Sequence, residues 1–430
     1  MFVYYINLAV RSLKSHKTLT VLMVLMLGLG IGACITTLTV LRLLSGDPLP
    51  QKSATLFYPQ VDPFPRDQPF SRSGKMPWLM SYADAMNLLR DRRGDAQAAM
   101  AMTEVKLTPA TPEQRPFFGD GVMATADFFR MFDAPFRYGA GWSAGDEEGR
   151  AQVVVIADYL NQKLFGGMNS VGRSIRVNDH DFRIVGVLGH WAPQPRFYAM
   201  HLGGRSYGEG DAVFLPLQSA RAVGIEPKNV FTYGPDDGAP LETAPAIWLG
   251  VWVQTSDPEA YRSYLSRYAS AQAKQGRFEQ SRTALSGLMA WMRSQEVVPD
   301  DVRLQAGLAF GFLVICVVNT VGLLLAKCLR RSGEIGVRRA LGATRREIFV
   351  QFLVEAGIVG LAGGLAGLLF TEAGLWLIRR QPAEYAGLAH MDAEMFVFTF
   401  VVAVVASLVA GLLPAWRACI LSPAPQLKRA

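Results

Sequence analysis

The sequence predicts a membrane protein with four transmembrane helices and one large α/β domain between the first and the second helix. Four apolar blocks, at about residues 19–44, 302–326, 348–378 and 395–413, are each long enough to cross a bilayer, which takes roughly 20 helical residues. About 255 residues of soluble composition separate the first block from the second. Basic residues flank the blocks in the pattern typical of cytoplasmic segments.

The distribution of charge predicts how the chain is oriented in the membrane. Three flanking segments are basic, and with four crossings all three lie on the same side, which the positive-inside rule makes cytoplasmic. Their basic residues include Arg11, Lys14, Lys17, Lys327, Arg330, Arg331, Arg417, Lys428 and Arg429. Arg379 and Arg380 fall on the opposite side. We therefore expect a multi-pass protein of the bacterial inner membrane with cytoplasmic N- and C-termini.

The formal net charge of +7 reflects this topology and does not indicate a nucleic-acid partner. Residues 46–300 carry 26 basic and 28 acidic residues, so the positive excess lies at the membrane flanks. The cysteines lie in or beside the apolar blocks, at Cys34, Cys316, Cys328 and Cys419. Residues 46–300 therefore have no disulfide framework and must fold through an apolar core.

The chain begins with a segment, residues 1–17, that we expect to form an amphipathic helix on the cytoplasmic membrane surface. Its apolar residues recur at helical spacing, at Phe2, Ile6, Val10 and Leu13. A frayed start of the first membrane helix is the alternative. That helix is predicted at residues 18–45. Its apolar run exceeds the roughly 7–15 residues of a signal peptide, so we interpret it as a retained anchor.

Residues 46–300 are predicted to form the α/β domain on the outer side of the membrane. After a proline-rich start, short apolar segments bounded by turn residues predict strands, and amphipathic segments predict helices. Strands are expected at residues 99–107, 117–124, 153–156, 174–177, 182–187 and 247–253, and helices at 81–90, 160–165 and 258–274. A hairpin turn is expected at residues 178–181. Because the strand–helix unit occurs twice, we expect two small subdomains.

The other apolar blocks predict three further membrane helices and their connections. The helices are expected at residues 301–328, 347–378 and 394–416, the cytoplasmic loop at 329–346, the short outer loop at 379–393 and the tail at 417–430. Glycines four residues apart allow helices to approach closely, which predicts packing faces on the first and third membrane helices. These glycines are Gly28, Gly32, Gly360, Gly363, Gly364 and Gly367.

Two carboxylates, Glu355 and Glu372, fall within the third apolar block. Charged residues in a membrane helix are rare and often functional, so a proton relay is one interpretation. Pairing of Glu355 with the arginines of the loop at 329–346 is the interpretation that we prefer.

The cytoplasmic loop at 329–346 has the pattern of a stiff connection. Glu334 precedes Arg338 by four residues, which favours an ion pair on a helix. Gly342 is placed to end that helix with a positive φ. Thr344 and Glu347 have capping-box spacing and start the next helix. The positive-inside rule alone would also explain the basic charge of the loop.

The sequence lacks three common catalytic and phosphate-binding motifs. It has no G-x-x-x-x-G-K-[ST], G-x-S-x-G or H-E-x-x-H pattern. His180, Asp181, His190 and His201 are close in sequence, but their spacing fits no known metal site. We therefore expect neither an enzyme active site nor a metal centre in this chain.

The string E-I-G-V-R-R-A-L-G-A-T-R-R-E-I at 334–348 resembles the loop between the second and third membrane helices of MacB/FtsX-like ABC transporter permeases. The resemblance continues through the residues Q-F-L-V-E-A at 351–356 and the glycines at 360–367. In the outer domain, L-F-G at 164–166 and I-V-G-V at 184–187 resemble the MacB-type extracytoplasmic domain. The resemblance covers essentially the whole chain.

This resemblance implies a permease subunit that works by mechanotransmission. Two copies of a separate ATPase subunit would bind ATP and magnesium, and this chain would hold no cofactor. A second permease, alike or unlike, would complete the transporter, and a periplasmic adaptor and an outer-membrane channel are further partners that the family allows. The loop would couple to the ATPase through Glu334, Gly336, Arg338, Arg339, Leu341, Gly342, Ala343, Arg345 and Arg346. Arg338 and Arg339 are expected to make the contacts.

Export of a periplasmic peptide, toxin or drug-like molecule is the function that the resemblance implies most directly. Lipoprotein extraction, as in LolC/LolE-like relatives, is an alternative with a different load. FtsX-like regulation of cell-wall hydrolases is a signalling alternative without transport. A membrane-anchored outer enzyme is a third alternative, which the absence of a catalytic constellation disfavours.

Overall fold

The computed structural model describes residues 8–9, 11–13, 17–109, 115–235 and 237–420, and the chain forms two units. The membrane unit comprises residues 1–45 and 298–430, and the outer unit comprises 46–297. Most of the amphipathic helix predicted at 1–17 lies outside the described residues, as does most of the predicted tail.

The helices and strands follow one another along the chain within these units. The helices are α1 (Lys17–Ser45), α2 (Tyr82–Asp91), α3 (Phe128–Met131), α4 (Ala144–Glu148), α5 (Asp158–Phe165), α6 (Leu217–Ala222), α7 (Pro258–Lys274), α8 (Leu288–Ser294), α9 (Asp300–Arg330), α10 (Ser332–Ala340), α11 (Arg345–Arg379) and α12 (Ala393–Ile420). The strands are β1 (Leu56–Val61), β2 (Ala96–Thr108), β3 (Phe117–Ala124), β4 (Phe136–Gly139), β5 (Val153–Ile156), β6 (Ser174–Val177), β7 (His180–Leu188), β8 (Val213–Pro216), β9 (Phe231–Thr232), β10 (Ala246–Ile247), β11 (Gly250–Gln254) and β12 (Thr283–Gly287).

Four helices of the membrane unit, α1, α9, α11 and α12, are long and apolar enough to cross a membrane. Each predicted span lies within one of them. They form because long apolar runs without interior breaks satisfy all backbone hydrogen bonds within the helix, which a bilayer requires. α11 is 35 residues long, so it exceeds the roughly 20 residues that a bilayer core needs.

The outer unit is built on one ten-stranded sheet with the order β12-β1-β11-β2-β3-β8-β5-β7-β4, in which β6 pairs with both β2 and β7. The pairs β3–β8 and β5–β7 are parallel and the others are antiparallel. β9 and β10 form a separate two-stranded sheet. We predicted two subdomains from the two strand–helix units, but the strands of both units belong to the same sheet.

Both faces of the ten-stranded sheet are buried, as alternate residues of β2 show. Ala99 and Ala101 belong to one apolar cluster, whereas Ala98 and Met100 belong to another. The first cluster includes residues of α2, α5 and α7, and the second includes residues of α3 and α8. Because helices and loops cover both faces, small apolar residues occur consecutively along this strand.

The strand predicted at residues 247–253 is interrupted in the structure. Ala246–Ile247 pairs with β9, whereas Gly250–Gln254 joins the large sheet. Between these strands, the amide of Trp248 donates to the carbonyl of Met80 at 3.0 Å. Apolar alternation continues through the break because Trp248 and Leu249 are both fully buried. The apolar alternation therefore correctly predicted that these residues are buried, but it did not predict the change of strand partner.

The predicted hairpin after β6 is confirmed, with a tighter turn. Asn178 and Asp179 have φ values of 46° and 68°, and Val177 pairs directly with His180. His180 and Asp181 are therefore strand residues and not part of the turn. The strand β8 and the helix α6, within residues 187–241, were not predicted, because they are only four and six residues long and lie among many turn-forming residues.

A buried ion pair lies in the outer unit, in the loop between β7 and β8. The guanidinium of Arg196 lies 2.5 Å from a carboxylate oxygen of Asp211, and both side chains are almost fully buried. The hydroxyl of Tyr198 donates to the other oxygen of Asp211 at 2.9 Å. Burial raises the pKa of Tyr198 well above its ordinary value, which keeps the phenol protonated as a donor. This cluster was not predicted from the sequence.

Candidate functional site

The basic elbow, which we define as residues 329–346, consists mainly of a short helix and a glycine turn that leads into a membrane helix. α10 ends at Ala340, and Gly342 follows with a φ of +101°. This φ lies in a region that a residue with a Cβ adopts only at a strain of about 1–2 kcal/mol. No heavy atom lies within 4 Å of the place where a Cβ would be. The predicted stop at Gly342 is confirmed, and glycine is required there for conformation and not for space.

The second half of the turn is fixed by a capping box at the start of α11. The hydroxyl of Thr344 accepts from the amide of Glu347 at 3.3 Å, and the carboxylate of Glu347 accepts from the amide of Thr344 at 2.8 Å. These two bonds satisfy amides that would otherwise have no partner in the first turn. The predicted capping box is confirmed, and it sets the direction in which α11 leaves the elbow.

The inner side of α10 packs on the ends of three membrane helices. Ile335 and Gly336 are buried. The surrounding apolar cluster contains Cys328 of α9, Ile348 and Phe352 of α11, and Ala415, Ala418 and Cys419 of α12. A displacement of α10 would therefore change its packing against all three helices.

The predicted ion pair between Glu334 and Arg338 is not formed. Glu334 pairs with Arg331 at 3.0 Å instead. The guanidinium of Arg338 donates to the side-chain carbonyl of Gln351 at 3.0 Å. The i,i+4 rule identified a possible neighbour on the same helix, but a polar group on α11 provides a partly buried partner for Arg338.

Arg339 also interacts with the membrane unit. Its guanidinium donates to the backbone carbonyl of Cys419, near the end of α12, at 3.5 Å. The thiol of Cys419 in turn contacts the carbonyl of Arg345 at 3.2 Å. Both guanidinium groups thus bond within the chain, where they link α10 to α11 and α12. The expected contact of Arg338 and Arg339 with a partner stays a prediction.

The solvent-exposed side of the elbow, which faces away from the membrane helices, carries two apolar and two basic side chains. We call them the outward surface: Val337, Leu341, Arg345 and Arg346. Leu341 is 83% exposed and Val337 is 50% exposed. Such a surface suits a protein groove that has an apolar floor and acidic sides. Sequence reasoning missed Val337, although it precedes Leu341 by four residues and therefore lies on the same helix face.

A buried ionic network lies beside the elbow and is centred on Glu355. This carboxylate and the ammonium of Lys327 form an ion pair in which both side chains are 1% exposed. The hydroxyl of Ser12 donates to Glu355 at 2.6 Å and accepts from Arg331 at 2.5 Å. The guanidinium of Arg331 lies 3.7 Å from the second carboxylate oxygen. The predicted pairing of Glu355 with an arginine of the elbow is confirmed, whereas Lys327 was missed as its principal partner.

The network joins α9, α11, the elbow and the N-terminal segment at one point.

Glu372 does not belong to this network, because it pairs with Arg379 at 2.6 Å and its side chain is 57% exposed. Seventeen residues separate Glu355 from Glu372 along α11, which is about 25 Å. The two carboxylates therefore do not form the proton relay that we considered.

The glycines of α1 meet those of α11 at a close helix crossing. A Cβ on Gly28 would lie 2.7 Å from the side chain of Ala366, and a Cβ on Gly32 would collide with Phe370. From the other helix, a Cβ on Gly367 would lie 2.8 Å from Ile31. The same crossing places Gly363 against Leu27. The backbones can approach this closely only because these positions lack side chains.

The other two predicted glycines of α11 face α12. A Cβ on Gly360 would collide with Ser407, and one on Gly364 would lie 3.0 Å from Ala403. The faces of α11 that were predicted from spacing thus pack within the chain, Gly363 and Gly367 against one helix, and Gly360 and Gly364 against another.

We expect Gly364→Leu to lower the thermal stability of the purified protein in detergent. The larger side chain must displace Ala403 and its neighbours, and overpacking of this kind costs about 1–3 kcal/mol. Gly357→Leu is the matched control, because it lies on the same helix with no heavy atom within 4 Å of its Cβ position. An equal loss of stability in both variants would contradict this packing assignment.

Comparison with known families matches two parts of the chain. The model described as the MacB-like periplasmic core domain matches residues 20–264. The model described as the FtsX-like permease C-terminal matches residues 306–423, which include the basic elbow.

Individual relatives are similar at low identity. The pyoverdine export ATP-binding/permease protein PvdT of Pseudomonas syringae pv. tomato is 27% identical over 308 residues, which is 70% of this chain and 41% of that protein. The macrolide export ATP-binding/permease protein MacB of Wolinella succinogenes is 25% identical over 434 residues, which is 97% of this chain and 59% of that protein. The chain thus spans between 41% and 59% of the length of these relatives.

Among solved structures, the periplasmic region of MacB from Actinobacillus actinomycetemcomitans is similar with a TM-score of 0.38 and 10% sequence identity. The match covers 59% of this chain and 98% of that structure.

Proposed function

Since the chain belongs to the family of MacB-like proteins with an FtsX-like permease C-terminal region, we propose that it is the permease subunit of an ABC transporter that exports a substrate from the periplasm. Two copies of an ATPase subunit bind ATP and magnesium and drive the membrane helices, and the outer unit responds. A second permease completes the transporter.

The observation that carries this proposal is the two-sided construction of the basic elbow. Its inner side packs on α9, α11 and α12, and its outward surface presents Leu341 and arginines to solvent. A partner that binds the outward surface and moves would displace the ends of three membrane helices together. The stiff turn at Gly342 and the capping box at Thr344 favour transmission of such a movement over its loss in a flexible loop.

We propose the class of exported substrate from the names of the relatives. PvdT is named for pyoverdine export and MacB for macrolide export. We therefore favour efflux of a peptide, toxin or drug-like molecule over lipoprotein extraction and over regulation of wall hydrolases. A periplasmic adaptor and an outer-membrane channel would extend the path across the envelope.

The chain is an inner-membrane protein with four spans, and we propose that its N- and C-termini are cytoplasmic. The support is the charge asymmetry: the elbow and the segment before α1 are basic, whereas residues 46–300 have a slight acidic excess. This orientation places the outward surface of the elbow where a cytoplasmic ATPase can bind it.

We expect Leu341→Asp to abolish most ATPase binding. Loss of a buried leucine at an interface costs roughly 1.5–3 kcal/mol before the charge is considered, so affinity should fall at least tenfold. Arg346→Glu should also weaken ATPase binding. The loss of affinity should be larger at low salt than at high salt, because the effect is electrostatic. The measurements are co-purification of the ATPase and ATP turnover of the assembled complex.

Arg330→Glu is the matched control for charge, since Arg330 is exposed at the end of α9 but lies outside the outward surface. Comparable amounts of each variant in the membrane would show that insertion is intact. If both single variants, Leu341→Asp and Arg346→Glu, retain full ATPase binding and turnover, the basic charge of the elbow serves only to set the membrane orientation. That result would overturn the coupling role.

A further inference from the structure

A cavity of about 150 Å³ lies in the outer unit, where β5, β7 and β8 meet at one end of the large sheet. β5 and β7 are parallel, with Ile156 opposite Val187, so both strands end beside the cavity. Val213, the first residue of β8, also lies opposite Ile156. Ligands of open α/β sheets bind in the crevice outside the carboxyl ends of the strands, which is where this cavity lies. We call it the Trp191 cavity, and its lining includes Tyr159, Leu188, His190, Trp191, Glu209 and Phe214.

Three aromatic rings line the Trp191 cavity, those of Tyr159, Trp191 and Phe214. The ring of Trp191 stacks on Tyr198 with centroids 5.2 Å apart and 16° between the planes, and its centroid lies 6.1 Å from that of Phe214. Tyr198 is held in turn by its hydrogen bond to Asp211. The ring of Trp191 is therefore fixed before a ligand enters. Aromatic faces carry partial negative charge and attract cations.

One negative charge at the cavity has no counter-ion. Three carboxylates line it, those of Asp158, Glu209 and Asp211. Asp158 pairs with Arg137 at 2.8 Å, and Asp211 pairs with Arg196. Glu209 makes no ion pair or hydrogen bond with any residue that the structure describes. A cation in the cavity would supply the missing charge.

The hydroxyl of Tyr159 lies in the same negative potential. Burial raises the pKa of Tyr159, and the carboxylates of Asp211, Asp120 and Glu209 raise it further. Arg196 has the opposite effect on this pKa, but it is the smallest of these influences. The groups around the ring thus favour positive over negative charge at this place.

The volume of the cavity limits what it can hold. Pockets for drug-sized ligands have volumes of about 300–1,000 Å³, whereas a cavity of about 150 Å³ binds a molecule as small as benzene. A trimethylammonium group is of similar size. The cavity therefore suits a single alkylated ammonium group rather than a large molecule as a whole.

We propose that the Trp191 cavity binds the alkylammonium group of a small molecule, with Glu209 as its counter-ion and the rings of Tyr159, Trp191 and Phe214 around its alkyl groups. Aromatic cages are the sites at which proteins recognise quaternary ammonium ligands. A neutral group of the same shape would leave Glu209 without a counter-ion, and an anion would be repelled. This site goes beyond the proposed function, because coupling to an ATPase does not require it.

The first test compares two ligands that differ in charge and hardly in shape. Choline and its neutral isostere 3,3-dimethyl-1-butanol are titrated into the purified full-length chain and followed by the NMR signals of their methyl groups. A maltoside detergent is used because it carries no ammonium group. Choline should bind at least about tenfold more tightly than the isostere, since only choline gains the cation–π contacts and the attraction to Glu209.

The second test identifies the cavity as the binding site. Glu209→Gln should lower the affinity for choline roughly fivefold, because it removes the charge and keeps the shape. Tyr159→Leu should lower it roughly threefold, whereas Tyr159→Phe keeps the ring and should retain most of it. Glu104→Gln is the matched control, because Glu104 is an exposed carboxylate of the same unit outside the cavity. This variant should bind choline like the unaltered chain.

Every outcome decides for or against the site. Equal affinity for choline and its isostere would show an apolar cavity that does not select cations, and the proposal would fail. It would also fail if choline did not bind, or if Glu209→Gln and Tyr159→Leu bound it as tightly as Glu104→Gln does. Binding of acetate in place of choline would show an anion site and would contradict the assigned charge. None of these results bears on the elbow, whose tests measure ATPase binding to the membrane unit.

Discussion

Glu355→Ala will destabilise the membrane unit by about 3–5 kcal/mol, the range for breaking a buried ion pair by removing one partner. The substitution leaves the ammonium of Lys327 buried at 1% exposure without its anion. It also removes the acceptor of the Ser12 hydroxyl. The change should appear as a lower unfolding temperature of the purified protein in detergent and as reduced ATP turnover of the assembled complex.

Two further variants test whether the loss of stability comes from the buried charge. Glu372→Ala breaks the exposed pair with Arg379 and should cost less than about 1 kcal/mol. The double variant Lys327→Leu with Glu355→Leu removes both charges and should recover most of the stability. If turnover stays low when stability has recovered, the network also contributes to transmission. Equal effects of Glu355→Ala and Glu372→Ala would show that Glu355 is not paired as the structure has it.

The network explains why a carboxylate is retained in this part of α11. Glu355 is approached by Lys327 from α9 and by Arg331 from the elbow. A helix that shifted relative to the others would separate charges that are shielded from water. Buried ion pairs of this kind add little net stability, because desolvation offsets their attraction, but separating their charges is costly. The elbow therefore has both an apolar and an ionic connection to the helix ends.

The membrane helices and the turn of the elbow could be predicted because their causes are local. A span is determined by its own apolar length, and the capping box of Thr344 and Glu347 involves residues three apart. Gly342 acts through its own φ. Each of these features is contained in a short stretch of sequence, so one sequence is enough to infer it.

The partners of the polar side chains could not be predicted because they are distant in sequence. Arg338 bonds Gln351, thirteen residues away, and Glu355 bonds Ser12 across 343 residues. The apparent partner of Arg338 on its own helix, Glu334, was the wrong one. Local spacing shows which pairs are possible, whereas tertiary packing decides which of them form.

Partners that are distant in sequence also explain which features of the outer unit were not predicted. Each predicted strand segment corresponds to an observed strand, whereas β1, β4, β8, β9 and β12 were not predicted. β2 pairs with β11 about 150 residues later in the chain, which no local pattern reveals. This pairing joins the two strand–helix units in one sheet. The apolar alternation of residues 247–253 also could not show that Trp248 and Leu249 lie between two different sheets.

Asp211→Ala will lower the free energy of unfolding of the outer unit by about 3–5 kcal/mol. The guanidinium of Arg196 would remain buried without its carboxylate, and the hydroxyl of Tyr198 would lose its acceptor. Urea unfolding of residues 46–297, which contain their own two apolar clusters, measures the change. With an m value that stays constant, the midpoint shift gives the loss of stability directly.

Asp181→Ala is the control for this variant, because Asp181 pairs with Arg176 at 3.2 Å on the surface and its side chain is 64% exposed. That change should cost less than about 1 kcal/mol, since water and salt screen an exposed pair. Arg196→Met combined with Asp211→Leu removes the whole ion pair and should be less damaging than Asp211→Ala alone. If Asp211→Ala and Asp181→Ala unfold at the same urea concentration, the carboxylate of Asp211 does not stabilise a buried Arg196, and the ion pair is not a structural centre of the loop between β7 and β8.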